Sequence, residues 1–212
     1  MNMPRFHHPN YIKLKIDEKN TYDVFKYTVT NLEYLNFINK QDILADEALN
    51  LRYDFYKRIN IYNLNCPFQF FNGKFYLRAE YDMKPVAHIS YFAAQEFALY
   101  HNAILISDEV WLKLLSIDKN FYLESYKKNL LNICDLHGYT NNVNDGLLGP
   151  SGIYDLIGNI RYWGNEVSTN LANCFGVSFN KSLNQSNSLF ILPRLKNLGS
   201  ISVGVRLMRL ST

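Results

Sequence analysis

The chain has 212 residues, of which 48% are hydrophobic and 15% aromatic, and its net charge is +3. This composition excludes an intrinsically disordered protein, which would be poorer in aromatic residues and richer in charge. The three cysteines are too few to hold a disulfide scaffold. We therefore expect a single domain over residues 1–212, with residues 1–20 as a polar lead-in segment.

Charge and hydropathy narrow the range of partners. The longest basic run is Lys127-Lys128, whereas nucleic-acid-binding proteins usually carry a basic stripe. No apolar stretch approaches the roughly 20 residues that span a bilayer, and the first residues lack the apolar core of a signal peptide. We expect no nucleic-acid or membrane partner and, by default, a cytoplasmic protein. Leaderless secretion, a place in a virion and an oligomeric state stay open.

The first third of the chain predicts a strand that runs directly into a helix. Residues 22–28 alternate in the manner of a strand. Thr30 and Glu33 then fit a capping box, in which each side chain hydrogen-bonds the backbone amide of the other residue. Further along, Asn72-Gly73 predicts a hairpin turn between two short aromatic strands.

Two helices are predicted in the middle of the chain. Ser90 and Ser107 each stand immediately before apolar residues at helical spacing, as N-cap residues do. Residues 120–134 predict a further amphipathic helix, and residues 137–151, rich in glycine and asparagine, predict a loop. The last predicted element is a strand over residues 201–208.

Six segments carry motifs that occur in this order. They are residues 27–37 (YTVTNLEYLNF), 85–94 (PVAHISYFAA), 105–111 (LISDEVW), 152–163 (GIYDLIGNIRYW), 176–180 (GVSFN) and 203–207 (VGVRL). Together they resemble the formylglycine-generating-enzyme, or sulfatase-modifying-factor, domain family. The corresponding family motifs include E-V-T-N-x-x-Y-x-x-F for the first segment and G-L-Y-D-M-x-G-N-V-x-E-W for the fourth. The resemblance covers residues 22–209.

This resemblance implies an α+β protein with a C-type-lectin-like fold. In that fold the two terminal strands pair in one sheet, two main helices pack beside it, and a loop-rich second half carries the site. The patterns described above agree with it, because the clearest strands are predicted near the two ends of the chain and the best helices between them.

The resemblance also implies two metal sites. The calcium site would use Asn159 and Ile160, but Tyr162 stands where the family has a glutamate, and calcium prefers about six to eight oxygens that include carboxylates. The alternative is that Asn159 braces the loop. The family's copper site uses two cysteines after the G-G-S-W motif, and residues 180–198 contain no cysteine. We therefore expect no cofactor, with calcium left open.

The other metal-ligating residue types are scattered. Cys66, Cys134 and Cys174 are far apart in sequence and lack C-x-x-C spacing, so we expect small buried residues. His88 and His101 are expected to be structural or solvated and not to be ligands.

The candidate ligand-binding residues match the family's site or lie in the polar and aromatic stretch of the second half. They are Trp163, Ser178, Phe179, Asn180, Arg194 and Arg206. Aromatic anchors among short polar residues suit recognition, whereas a serine nucleophile needs an activating base within hydrogen-bond reach. Trp163 as a core residue and Arg206 as an ion-pair or carbonyl brace are the structural alternatives.

Two functions are predicted from these observations. The first is a non-catalytic module that binds a protein or a small molecule. The second is an enzyme of the same superfamily with altered chemistry, which needs ionisable groups that converge on a cleft. The available groups are Asp155, Glu166, Arg194 and Arg206. Two carboxylates or a metal in the concavity beside Ser178 would favour the enzyme, and an aromatic and polar face would favour binding.

Overall fold

The computed structural model describes residues 10–40, 59, 65–72, 74–131, 140–180 and 191–211. In these ranges the chain forms three helices and ten strands. They are β1 (Tyr11–Lys15), β2 (Thr21–Phe25), α1 (Asn31–Ile38), β3 (Phe68–Phe71), β4 (Lys74–Leu77), α2 (Tyr91–Tyr100), β5 (Ile104–Leu105), α3 (Asp108–Lys127), β6 (Arg161–Glu166), β7 (Leu171–Phe175), β8 (Ile191–Leu195), β9 (Val203–Gly204) and β10 (Leu207–Leu210). The protein is a mixed α and β fold with several antiparallel sheets.

The two ends of the described chain meet in one four-stranded sheet of order β1-β2-β10-β5. β2 and β10 pair antiparallel, with Val24 opposite Met208, so the first and last predicted strands lie side by side as expected. β1 corrects the lead-in predicted over residues 1–20, because Tyr11–Lys15 is a strand that pairs with β2. Leu14 of this strand is buried in the core, which explains why the segment is held in place.

A second four-stranded sheet, of order β8-β7-β6-β9, carries the segment that follows Asn159. Trp163 of β6 lies opposite Cys174 of β7, and the register shifts between Trp163 and Glu166. A side chain at Gly164, within this irregularity, would collide with the Phe175 ring. Only glycine allows the Phe175 ring to pack directly over the backbone at this position.

The strand predicted over residues 201–208 is instead two short strands in different sheets. β9 pairs with β6 in parallel and β10 pairs with β2. The chain crosses from one sheet to the other at Val205 and Arg206. The Val205 carbonyl accepts a hydrogen bond from the Val29 backbone amide, and the Arg206 carbonyl accepts one from that of Ile106, so these backbone groups are satisfied outside both sheets.

The predicted helix starts are confirmed. Thr30, Ser90 and Ser107 each accept a hydrogen bond at the side chain from a backbone amide three residues further on. Glu33 completes the capping box by accepting from the Thr30 backbone amide at 2.8 Å. The hairpin predicted at Asn72 is also present, as β3 and β4.

The helix α3 is one continuous element where two helices are predicted. Residues 120–127 continue this helix, so the prediction of a separate helix that starts at residue 120 is wrong. Residues 132–134 of that predicted helix lie outside the described residues. Asp118 in the middle of α3 is fully buried. Its carboxylate accepts from both the backbone amide and the hydroxyl of Ser151, each at 2.7 Å, and thereby ties α3 to the loop before residues 152–163.

Two groups of aromatic side chains fill the interior. Trp111 of α3 stacks on Phe175 of β7, with ring centroids 5.3 Å apart, and its Nε1 donates to the Tyr162 hydroxyl at 2.7 Å. Phe37 of α1 packs edge-on against Phe97 of α2 at 5.3 Å. In the described ranges no helix combines the length and the hydropathy that a membrane crossing requires.

Candidate functional site

A cavity of about 140 Å³ lies beside Phe179, the residue that follows Ser178 in the segment GVSFN. We call it the Phe179 cavity. Its apolar lining consists of Pro67, Pro85, Ala87, Phe179 and Ile201, and its polar lining of Asn31, Asn65, Tyr81, Lys84, His88 and Thr140. The described lining therefore contains aromatic, apolar and neutral polar groups and one ammonium, without a carboxylate or a thiol.

Asn31 belongs to the polar lining because it is the first residue of α1, directly after the Thr30 cap. Its backbone amide donates to the Lys84 carbonyl at 2.9 Å and its Nδ2 donates to the Tyr81 carbonyl at 3.0 Å. Its Oδ1 is buried and accepts no hydrogen bond from any described residue. A buried acceptor in this state costs about 1–3 kcal/mol of stability.

His88 is the second polar residue of the lining with an unpaired acceptor. Its side chain is buried, and its φ of 63° lies in the left-handed region that few residues other than glycine adopt. The backbone amide donates to the Ser200 carbonyl at 2.8 Å, and the carbonyl lies so close to Gly199 that a side chain there would collide with it. The strained backbone is thus held in place by the segment before β9.

The protonation state of His88 follows from its surroundings. Burial lowers its pKa to about 4, partly opposed by a hydrogen bond to the Asn65 backbone that raises the pKa. A hydrogen bond to the backbone raises the pKa of a histidine when the ring N–H donates to a carbonyl. Since Nδ1 is buried and has no partner in the described part of the chain, the donor is Nε2. The neutral ring therefore keeps a free acceptor at Nδ1.

We expect the His88 ring to stay neutral throughout the range from pH 5.5 to 8, with a pKa of about 4 in the folded protein. The unfolded chain binds the proton at about pH 6.5. As pH falls from 6.5 towards 4 the unfolded state therefore gains protons first, and His88 lowers the free energy of unfolding. Nitrogen-15 NMR of the ring during a pH titration measures this pKa and the tautomer. A His88 pKa above 6 would contradict the buried and neutral assignment.

Of the predicted site residues, the structure places Phe179 on the cavity. The Phe179 backbone amide donates to the Asn159 carbonyl at 2.9 Å, which fixes the end of the segment. Ser178 is fully buried, and its hydroxyl donates to Asn180 Oδ1 at 2.8 Å. An amide oxygen is not a base that could activate a serine, so this pair offers no nucleophile.

Trp163, Arg194 and Arg206 lie elsewhere. Trp163 is a core residue whose Nε1 donates to the Ile89 carbonyl at 3.2 Å. Arg194 of β8 is half-buried, and its Nη1 makes a long contact of 3.5 Å with the Ser200 hydroxyl. None of the three is among the residues that line the Phe179 cavity.

Arg206 is a fully buried brace between backbone segments. Its Nη1 donates to the carbonyls of Phe25 and Lys26 at 3.1 and 2.9 Å, and its Nη2 donates to the Tyr154 carbonyl at 2.6 Å. The guanidinium also lies 5.0 Å from the centroid of the Tyr162 ring. Arg206 is therefore the carbonyl brace that was considered as its structural alternative.

Asn159 braces the loop, and the residues around it do not fit the calcium site that the resemblance implies. Its Oδ1 accepts from the Asn141 backbone amide at 2.9 Å, and its Nδ2 donates to Asp155 at 3.1 Å. The Asp155 carboxylate therefore accepts from the Asn159 amide nitrogen and does not lie beside its oxygen as a second calcium ligand would. Tyr162, at the glutamate position, turns its hydroxyl into the core, where it donates to the Leu156 carbonyl at 3.0 Å. In the described ranges no three His, Cys, Asp or Glu side chains come together as a metal site.

Removing divalent cations with EDTA is expected to change the melting temperature by less than about 2 °C, because Asn159 already pairs with protein groups. Differential scanning calorimetry with and without EDTA measures the effect. A drop of about 10 °C, restored by added calcium, would contradict this assignment, since it corresponds to the loss of a ligand-linked stabilisation of a few kcal/mol.

The two described cysteines are poor candidates for thiol chemistry. Cys66 and Cys174 are both buried. Burial raises the pKa of Cys66 to about 11 and that of Cys174 to about 12, so both stay protonated at neutral pH, whereas the thiolate is the nucleophile and the metal ligand. Cys134 lies outside the described residues.

Sequence reasoning missed a larger groove of about 640 Å³ between α2, the start of α3 and β6. Three carboxylates line it, those of Asp108, Glu109 and Glu166. Two have protein partners: Asp108 accepts from Asn173 Nδ2 at 3.0 Å, and Glu166 pairs with Lys196 Nζ at 2.9 Å. The acidic residues after Ser107 are also explained by the helix dipole alone, so the sequence carries no separate signal for a groove.

Solved structures share this architecture over most of the chain. A crystal structure of CarF matches with a TM-score of 0.56 and 15% identity, covering 91% of this chain and 87% of that one. The structure of PvdO from Pseudomonas aeruginosa matches with a TM-score of 0.60 and 13% identity, covering 90% and 81%. No family model and no curated protein matches the chain. At these identities the likeness shows a shared fold alone.

Proposed function

We propose that the chain is a non-catalytic ligand-binding module on a C-type-lectin-like scaffold of the formylglycine-generating-enzyme kind. Three features support the scaffold: the six motifs in order, the pairing of β2 with β10, and the two longest helices between them in the chain. The ordered motifs, and not the structural neighbours, suggest the family.

The observation that carries the function is the composition of the Phe179 cavity. Phe179, the residue after Ser178, lines this concavity, and the described lining combines an aromatic ring and prolines with amide, imidazole and hydroxyl groups. Such a mixture, apolar walls with a few polar groups, is typical of sites that bind a small molecule. An enzyme of altered chemistry would need a carboxylate, a thiolate or a histidine that titrates near neutral pH there, whereas burial lowers the pKa of His88 to about 4.

The size of the cavity limits what it can enclose. An engineered cavity of about 150 Å³ in another protein holds one benzene molecule, and the Phe179 cavity has about 140 Å³. The module would therefore enclose one ring-sized group, either a small molecule or a side chain of a larger ligand.

The alternative function is an enzyme of the same superfamily that works elsewhere on the molecule. The acidic groove is the observation that favours it, because three carboxylates line one concavity. The four groups considered from the sequence do not converge there, since Arg206 and Asp155 are buried braces and Arg194 contacts Ser200. Of these four groups only Glu166 reaches the groove.

A fragment titration followed by amide NMR shifts tests the binding function. We expect ring-sized neutral fragments to shift the amides around Phe179, His88 and Ile201. Phe179→Leu, which keeps an apolar side chain in place, should weaken fragment binding at least about tenfold, or 1.4 kcal/mol. Phe71→Leu is the matched control, because Phe71 on β3 is 66% exposed and lies away from the cavity lining.

Two outcomes of this titration would contradict the proposal. Hits confined to the acidic groove would favour the enzyme, and equal binding by the Phe179→Leu and Phe71→Leu variants would remove Phe179 from the site. Circular dichroism of both variants verifies that a loss of binding is not a loss of folding.

A further inference from the structure

A second cavity, of about 260 Å³, is lined by residues from the end of β2, the start of α1, the loop that carries Val143 and the start of β10. We call it the Glu33 cavity. It shares no described lining residue with the Phe179 cavity. We propose that the Glu33 cavity is a separate site for a small organic amine, whose protonated primary amino group binds Glu33 Oε1 while its apolar body packs on the walls.

The described lining of this cavity carries a single charged side chain, that of Glu33. Two threonines and two asparagines supply neutral polar groups, and the apolar and aromatic walls consist of Phe25, Tyr27, Val29, Met83, Val143 and Leu207. No lysine, arginine or histidine is among these described residues. Water screens the charge of a carboxylate between such walls poorly, so the concavity attracts a cation.

Glu33 uses one carboxylate oxygen to cap α1 and leaves the other one free. Its Oε2 accepts from the backbone amide of Thr30 at 2.8 Å and from the Thr30 hydroxyl at 2.9 Å. Its Oε1 accepts from no described residue, and it does not belong to the small set of buried side-chain atoms without a partner. Oε1 is therefore accessible to solvent, on a residue that lines the cavity.

The described part of the chain does not neutralise Glu33 with an ion pair. Burial raises the pKa of its carboxyl, and the hydrogen bonds from Thr30 oppose this only in part. The positive end of α1 offsets about half a charge. The ionised carboxylate thus leaves net negative charge in the cavity, and a bound cation would stabilise it.

The aromatic wall of the cavity lies close to this carboxylate. Tyr27 precedes Thr30 by three residues, which is at most about 11 Å of extended chain, and the Thr30 amide lies 2.8 Å from Glu33 Oε2. The Tyr27 ring stacks on the Tyr154 ring with centroids 4.7 Å apart, which holds it in one orientation. A protonated amine at Oε1 can therefore place its carbon atoms against an ordered aromatic wall.

The chemistry of the lining favours an amine over a metal ion. Calcium prefers about six to eight oxygens, and the described lining supplies one carboxylate. A free carboxylate oxygen complements an N–H donor. A cavity of about 150 Å³ in another protein holds one benzene molecule, so about 260 Å³ admits a ring with a short amine-bearing chain. The Met83 carbonyl accepts from the Val143 amide at 2.9 Å, which joins two parts of the wall.

Four probes of similar size test the assignment on the unmodified protein. They are phenethylamine, 2-phenylethanol, 3-phenylpropanoate and trimethyl(phenethyl)ammonium, titrated at pH 7 with amide NMR shifts as the readout. Phenethylamine is protonated at this pH, as lysine is. We expect it to shift the amides of Tyr27, Glu33 and Val143. The alcohol lacks the charge, the carboxylate reverses it and the quaternary amine lacks N–H donors, so each should bind at least tenfold more weakly.

A variant pair assigns the effect to Glu33. Glu33→Gln should weaken phenethylamine binding at least tenfold, because it removes the charge, whereas glutamine also serves at this position of a capping box. Glu124→Gln is the matched control: it removes the same charge from α3, where the Glu124 side chain is 59% exposed and pairs with Lys127. We expect that variant to bind phenethylamine as the unmodified protein does.

Carbon-13 NMR of the Glu33 carboxyl group gives a readout that needs no variant. Saturating phenethylamine should lower the pKa of Glu33, because a bound cation favours the ionised form. The neutral 2-phenylethanol should leave this pKa unchanged. A residue that only caps α1 would not respond to the amine, so an unchanged pKa at saturation would overturn the proposal even if Glu33→Gln did not fold.

The other outcomes are equally distinct. Equal binding of phenethylamine and 2-phenylethanol would overturn recognition of the charge, and equal binding of the quaternary amine would overturn N–H donation to Oε1. Shifts confined to the groove lined by Asp108, Glu109 and Glu166 would place amine binding elsewhere and overturn this site. None of these results bears on the Phe179 cavity, because the two cavities have no described lining residue in common.

Discussion

Replacing Arg206 by leucine is expected to lower the free energy of unfolding by about 3–5 kcal/mol. Three backbone carbonyls, those of Phe25, Lys26 and Tyr154, accept from this guanidinium. Leucine would leave these carbonyls without that donor, although the Lys26 carbonyl also accepts from the Tyr154 backbone amide at 3.0 Å. A buried acceptor that loses its hydrogen bonds costs stability through its desolvation. Urea denaturation with constant m-value measures the change.

Arg209→Leu is the matched control, because it removes the same side chain from the neighbouring strand β10. Arg209 pairs with Asp23 at 3.1 Å; its side chain is 44% exposed, whereas that of Asp23 is 7% exposed and also accepts from the Ser211 hydroxyl. Since Asp23 keeps this second partner, we expect a loss of about 1–2 kcal/mol. If both leucine variants were equally stable, Arg206 would not be the brace that its hydrogen bonds indicate, and its place in a ligand site would have to be reconsidered.

The second large effect is expected at Tyr162. Tyr162→Phe removes a hydroxyl that accepts from Trp111 Nε1 at 2.7 Å and donates to the Leu156 carbonyl at 3.0 Å. Both partners would lose this hydrogen bond in the core, so we expect a loss of about 2–4 kcal/mol of stability. Chemical denaturation, followed by the fluorescence of the two buried tryptophans, gives the value.

Tyr76→Phe serves as the control, since Tyr76 is 48% exposed on β4. We expect a change within about 0.5 kcal/mol there. A Tyr162→Phe variant as stable as the natural protein would show that the hydroxyl is not a structural link, and a ligand role at this family position would become open again.

The helix starts could be predicted because their causes are local. A cap such as Thr30 and Glu33 lies within four residues, and the pairing of side chain and backbone there does not depend on the rest of the chain. The continuity of α3 could not be predicted in this way. Polar residues near its middle favour a helix end in isolation, but Asp118 is instead satisfied by Ser151, a contact across 33 positions of sequence.

The strand β1 and the break between β9 and β10 at Arg206 could not be predicted either, because both depend on contacts between residues far apart in sequence. Residues 11–15 look like part of a charged lead-in because their pairing partner, β2, and their contacts with the core are not visible in the segment itself. Arg206 lies in an apolar run typical of a strand. Its carbonyl partners come from residues 25, 26 and 154, and only the folded chain brings these together.

The candidate site was predicted in part. Phe179 followed from the resemblance of its segment to the family's site motif, and the structure places it on a cavity. Asn31 and His88 were missed as site residues. Their signal is an unpaired buried acceptor and, for His88, a left-handed backbone, and neither property can be read from residue type or spacing.

A crystallographic soak with a mixture of ring-sized neutral fragments tests most directly whether this chain is a binding module with its site at the Phe179 cavity. We predict electron density for a fragment in contact with Phe179 and His88, with the side chains of the acidic groove unchanged. Density only in the groove lined by Asp108, Glu109 and Glu166, with the Phe179 cavity closed to every fragment, would contradict the account.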